Sequence, residues 1–163
     1  MATDEIRKQI IDYLQLFGRP ITDATFVECE PMKDVFSPEQ MRFFRKSYHA
    51  ELKQCYKNSA ILVGLIAHPL GRIKGFDASS VKYVEGFVYE PGLFPIEHAF
   101  VKVGDRYIDP TAERVLKKNV RKCQYVSFLE LTYAELLAAL EQRGYYGPLY
   151  QWMKDNRLQG KNG

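Results

Sequence analysis

Cys55, His98 and Asp109 are residue types that together can run thiol-nucleophile chemistry, and they stand in the strings KQCYKNSAILV and YVEGFVYEPGLFPIEHAFVKVGDRYIDPT. A nucleophile, the base that takes its proton and the group that orients the base need to arrive from separate elements and converge. A free thiol titrates at about 8.5 and works near neutrality only beside a cation or at a helix N-terminus. From Tyr56 to Ala67 the apolar residues Ile61, Leu62, Leu65 and Ile66 recur at helical spacing, and His68-Pro69 closes the run. The pattern places Cys55 in the first turn of a buried helix, where backbone N–H groups favour a thiolate and can also hold an oxyanion. Tyr56 and Asn58 then stand in that turn as candidate supports for the oxyanion.

A hairpin predicts how the other two residues meet. If Gly104-Asp105 is a two-residue turn, Val103 faces Arg106. Phe100 then lies opposite Asp109 and His98 opposite Thr111. Alternation puts His98, Phe100, Lys102, Tyr107, Asp109 and Thr111 on one face, and Ala99, Val101, Val103, Arg106 and Ile108 on the other. His98 and Asp109 become diagonal neighbours, roughly 7–8 Å apart at the backbone and within side-chain reach. Glu97 points to the opposite face and is a poor orienter. Phe100 and Tyr107, on the His98 face, are the candidate substrate contacts within an aromatic series that also includes Tyr83, Phe87, Tyr89 and Phe94.

Over residues 50 to 111 the order Cys, His, Asp, with the cysteine opening a helix, the EHAFVKV strand and the IDPT ending, resembles the transglutaminase-like branch of the papain-like cysteine enzymes. The resemblance implies a papain-like, transglutaminase-like α+β fold with Cys55 as nucleophile, His98 as acid/base and Asp109 as orienter. It also implies hydrolase or acyl-transfer chemistry through a thioester: a thiol protease, amidase or glutamine deamidase, or a transglutaminase. His49 stands roughly where papain-like proteases carry a glutamine. No tryptophan follows Cys55, and Ala-Phe follows His98. A protein or peptide is the expected substrate, and no cofactor is implied. The alternative is a non-catalytic protein-binding module on the same fold, in which Cys55 is core, His98 a satisfied strand histidine and Asp109 a turn initiator.

The elements that must position these residues follow from patterning. A helix is expected from about Asp4 to Phe17, with Ile6, Ile10, Leu14 and Phe17 on one stripe, Thr3 as cap and Gly18 as stop. An extended segment spans about Asp23 to Glu28. Ser37-Pro38-Glu39-Gln40 supplies a capping box for a helix through Met41, Phe44 and Tyr48. Leu70 to Ser80 reads as a loop bordering the cleft. Lys82 to Tyr89 is a strand, Pro91-Gly92 a turn, and the hairpin completes at least a three-stranded antiparallel sheet. Helices return at Thr132 to Arg143 and, after Gly144, at Tyr145 to Asp155.

With 163 residues, 46% of them hydrophobic, the chain suits a single domain over residues 1–158, with a disordered tail at 159–163. Three widely spaced cysteines argue for free thiols in a reducing, cytoplasmic setting. MATDEIRKQII lacks a signal-peptide pattern, and no stretch is long enough to span a membrane. No metal-ligand spacing occurs. A net charge of +3 argues against nucleic acid. The basic cluster of Arg114, Lys117, Lys118, Arg121 and Lys122 reads as solvated surface.

Overall fold

A computed structural model describes residues 3–16, 24–71, 73 and 75–160, with backbone only for 157–160. The elements in chain order are α1 (Asp4–Leu16), β1 (Thr25–Val27), α2 (Met32–Val35), α3 (Pro38–Ser47), α4 (Cys55–Ala67), β2 (Val81–Tyr89), β3 (Ile96–Val103), β4 (Arg106–Ile108), α5 (Pro110–Arg114), β5 (Gln124–Thr132), α6 (Tyr133–Arg143) and α7 (Tyr150–Gly160). The architecture is α+β. Five antiparallel strands run in the order β1-β5-β2-β3-β4.

Local chemistry explains most boundaries. Ser37 and Thr132 form capping boxes with Gln40 and Glu135, starting α3 and α6. Gly144 ends α6 in the left-handed conformation, at φ 86°. Thr3 Oγ1 accepts from the Ile6 amide at the start of α1. Phe17, Gly18 and Asp23, at the edges of two expected elements, lie outside the described residues. The final helix starts at Tyr150, five residues later than expected, and its backbone includes 159 and 160 of the expected tail; 161–163 lie outside the description.

The sheet curls until its two edges meet. Beyond β1, Cys29 makes a parallel bridge with Tyr107 of β4, and the Glu30 amide donates to the Tyr107 carbonyl at 2.8 Å. Arg106 locks this seam with two bonds to the Glu30 carboxylate, at 2.7 and 2.8 Å. The curl gives the sheet an inside and an outside. Inside, Val27, Cys29, Val84, Phe100 and Tyr125 pack together, with Ala112 and Val120 closing one end. Outside, Ala99, Val101, Val103 and Ile108 join Leu62, Val63 and Ile66 of α4 and Leu136 of α6 in the main core. Farther along the sheet, Ile10 and Leu14 of α1 cover Phe87 and Val126.

β5 lies inside the sheet, between β1 and β2, and was not foreseen between the hairpin and α6. Its register against β2 slips between Glu85 and Gly86, leaving Phe128 unmatched, a bulge that bends the strands. A Cβ on Gly86 would lie 1.6 Å from the Val126 carbonyl oxygen, so only glycine fits this approach. The described residues of Leu70 to Ser80 do not border the cleft as expected. They include buried Ile73, and Phe76 packs on the main core, because the segment must carry the chain from the end of α4 to the start of β2 across that face.

Candidate functional site

The hairpin has the expected register: Val103 faces Arg106, Lys102 faces Tyr107 and Val101 faces Ile108 around the Gly104-Asp105 turn. β4 ends at Ile108, and Asp109 becomes the N-cap of α5, with Pro110 at the first helical position. His98 Nε2 lies 2.7 Å from Asp109 Oδ2. The Tyr125 hydroxyl donates to the same oxygen at 2.7 Å, and Oδ1 accepts the Ala112 amide at 3.0 Å. Asp109 is fully buried and His98 is 6% exposed.

Cys55 is the first residue of α4 and is half-buried. The N-cap Gln54 makes no side-chain capping bond, so the first turn presents its amides without a side-chain cap. Lys53, just before it, adopts φ 60°, a left-handed conformation uncommon outside glycine. This turn aims the chain so that α4 begins beside the hairpin. Cys55 and His98 share one cavity wall, and the sulfur is near enough to favour the His98 imidazolium. With Nε2 directed at Asp109, Nδ1 is the nitrogen left for sulfur.

The electrostatics follow from this chain of contacts. Burial disfavours the His98 imidazolium, but the Asp109 carboxylate and Cys55 outweigh it and push the His98 pKa up to about 10. Burial also opposes the Asp109 charge, yet its pKa lies below the ordinary value because His98, the Ala112 amide and Tyr125 all favour the carboxylate. A charged pair shielded from water is therefore favoured in the folded chain.

Asn58 neither enters the cleft nor caps α4. Its Oδ1 accepts from the Glu51 amide at 2.9 Å; its Nδ2 donates to the Glu51 carbonyl at 2.8 Å and to Thr111 Oγ1 at 3.0 Å. It ties the loop before Cys55 to the start of α5, next to Asp109. The Tyr56 side chain packs against the main core, leaving its amide as its link to the first turn. His49 is exposed and is not among the residues around Cys55, and His68 accepts the Leu70 amide at the far end of α4.

Phe100 and Tyr107 do share the His98 face, but that face is the inside of the curled sheet. Phe100 is fully buried with its ring stacked beside His98, and Tyr107 donates to Glu130 at 2.7 Å. Neither lines the cavity at the thiol. That cavity, of about 520 Å³, is bounded by Cys55, His98, Asp109 and Tyr125, and by Leu52, Leu93, Phe94, Ile96 and Leu116. Of the aromatic series, Phe94 alone reaches it. Tyr125 and the rim residues other than Phe94 were missed from sequence: Tyr125 sits on the unforeseen strand, and the rim comes from turns and the first residue of β3, without periodicity.

Elsewhere, the basic cluster is largely engaged. Lys118 pairs with Glu90, Arg121 reaches Asp34 at 2.7 Å, and Arg114 lies over the Tyr48 ring while contacting the Phe44 and Tyr48 carbonyls. All three cysteines are free thiols. Among the described residues, no helix is long and apolar enough to cross a membrane. No family model matches the chain, and no match is found among curated proteins or solved structures.

Proposed function

We propose that this protein is a cysteine-dependent enzyme acting on an amide or related acyl bond through a thioester on Cys55. The observation that carries this reading is the convergence on one cavity of Cys55, at the first turn of α4, with the buried pair of His98 Nε2 and Asp109 Oδ2 at 2.7 Å. A core cysteine would need neither the imidazole nor the cavity. The transglutaminase-like resemblance supports the same roles, as does the placement of a helix N-terminus against a curled antiparallel sheet. Fold likeness alone does not select a reaction.

In this mechanism His98 holds the proton as an imidazolium paired with the Cys55 thiolate, and the thiolate attacks the acyl carbon. The first-turn amides of α4 stabilise the oxyanion. The bond from carbon to nitrogen breaks, the amine leaves with the proton from His98, and the acyl group remains on sulfur. Water, deprotonated by His98, then releases the acid and restores the ion pair; an amine in place of water would complete acyl transfer. Asp109 holds the imidazole with Nε2 as donor, which keeps Nδ1 aimed at sulfur. Peptidase, amidase and deamidase chemistry all use these steps.

Alkylation by iodoacetamide, followed at each cysteine by mass spectrometry against pH, tests the relay. Cys55 should react at least tenfold faster than Cys29 and Cys123 below pH 7, roughly the effect of a hydrogen-bonded ion partner on a thiol, and His98→Ala should remove that advantage. Equal reactivity of Cys55 and Cys123 in the folded protein would point to the binding-module reading.

A further inference from the structure

The residues that surround Cys55 divide sharply in chemistry. Leu52, Leu93, Phe94, Ile96 and Leu116 stand around the thiol and are between 44% and 79% exposed, an unusual concentration of large apolar side chains left in water. They come from three separate segments: the turn before α4, the link between β2 and β3 with the first residue of β3, and the stretch after α5. The polar groups of the wall, half-exposed in Glu90 and Lys118 and buried in His98, Asp109 and Thr111, bond one another. Glu90 pairs with Lys118, Asp109 takes His98 and Tyr125, and Thr111 accepts from Asn58. Lys53 and Glu97 add charge only at the exposed mouth.

A polar acyl chain entering this cavity would lose its water and meet a wall whose hydrogen bonds are already made. An apolar chain would lose nothing and would cover the exposed rim. The cavity volume of about 520 Å³ falls within the range of small-ligand sites. We infer that the acyl group accepted by Cys55 is an apolar chain seated against Leu93, Phe94 and Ile96. This assignment rests on the thioester reading and selects within it, favouring apolar acyl donors over glutamine side chains. Continuity with the thiol identifies the occupant, because any group on Cys55 sulfur must extend into this cavity.

The test uses the full chain and p-nitrophenyl esters of acetate, butyrate, hexanoate and octanoate. Sulfur bonds to the acyl carbon, the ester carbon–oxygen bond breaks, p-nitrophenolate leaves, and water later removes the acyl group. Release of p-nitrophenolate gives the rate, and mass spectrometry locates the acyl group; Cys55→Ala supplies the background. The rate of Cys55 acylation should rise roughly two- to fourfold per methylene added. Phe94→Ser and Ile96→Ser, both at exposed positions, should each lower the octanoate-to-acetate ratio by roughly five- to tenfold. Leu137→Ser, exposed on α6 away from the site, should leave that ratio unchanged.

Cys55 acylation that is independent of chain length, or a ratio untouched by both rim substitutions, overturns the apolar pocket and leaves the thioester reading standing. Absence of Cys55 acylation with every ester, together with a thiol no faster than Cys123 toward iodoacetamide, overturns both. An N-acetyl-leucine ester compared with the hexanoate distinguishes the source of the chain. Faster reaction of the former makes the chain a peptide residue, and faster reaction of the latter makes it the tail of a simple carboxylic acid; either supports an apolar occupant.

Discussion

The two oxygens of Asp109 have separate duties. Oδ1 accepts the Ala112 amide and starts α5, while Oδ2 accepts from His98 and Tyr125. The helix-capping bond and the bond to His98, which sequence presents as rival uses of an Asp-Pro pair, therefore reside on one carboxylate. This double use has a consequence for stability. The His98 pKa, raised to about 10 from an ordinary 6.5, means that the folded state binds the proton more tightly than the unfolded chain. The stabilisation is complete below about pH 6.5 and declines as pH rises through about 10, where the folded imidazolium loses its proton. Asp109 has the opposite sign: its folded pKa is lowered, so its contribution is present above the ordinary carboxyl range and is lost as pH falls through the folded value. The unfolding free energy of the wild-type chain, from urea titration, should thus fall toward that of His98→Gln as pH rises from 6.5 to 10, by a change on the order of a few kcal/mol. A constant difference across that window would exclude a charged His98 in the folded protein.

At the scale of elements, the legible parts were those whose information is local. The Gly104-Asp105 turn fixed the hairpin register because Gly104, at φ 64°, needs no neighbour to explain it. Ser37-Pro38-Glu39-Gln40 marked its helix for the same reason. QYVSFLELT was illegible as a strand because the sheet is covered on both sides, Tyr125 facing the interior and Val126 facing α1. Consecutive burial erases alternation, and the bulge at Phe128 shifts what remains. The meeting of Cys29 with Tyr107 joins residues far apart in sequence, so periodicity carried no sign that the His98 face would become an interior. That closure is why Phe100 packs beside His98, and Tyr107 against Phe100, on the inside of the sheet rather than at the cavity. Gly86 offers a test of the bulge. Gly86→Ala forces a methyl group against the Val126 carbonyl, a backbone atom that cannot swing aside, and should cost about 2–3 kcal/mol. In Gly64→Ala the new methyl meets the Tyr133 ring at an ordinary 3.5 Å inside α4, and helix propensity should make the change neutral or stabilising by up to about 1 kcal/mol. Urea titration of the two variants checks the contrast; equal effects would mean that the strands do not approach this closely.

For the molecule as a whole, the bulge also governs how the C-terminal segment is held. Glu85, immediately before the register slip, is a buried carboxylate on the outer face. It accepts from the Tyr83 hydroxyl at 2.5 Å, from the Leu149 amide at 2.8 Å and from the Tyr150 amide at 2.9 Å, so it receives the first turn of α7. Leu149 is fully buried beside it, and Trp152 and Met153 pack on the main core. Burial raises the Glu85 pKa, and the tyrosine and two amides that favour the carboxylate only partly offset it. An acid held above its ordinary value makes the folded state bind its proton more readily, so this group favours folding more as pH falls through its raised pKa. Glu85→Ala deprives three donors of their acceptor, two of them at the terminus of a helix whose remaining contacts are a short apolar stripe. The cost should reach about 2–3 kcal/mol, but its distribution is more informative than its size. Hydrogen exchange at residues 149–156 should accelerate by tenfold or more, corresponding to about 1.4 kcal/mol of local opening. The amides of α4 and β3 should slow or quicken only with global stability. The Cys55 alkylation rate should stay within about twofold of wild type under native conditions, because the residues that share its cavity come from the turn before α4, the hairpin, α5 and β5 among others, and none from α7. Loss of Cys55 reactivity in proportion to loosening of α7 would instead show that the C-terminal helix and the relay form one cooperative unit.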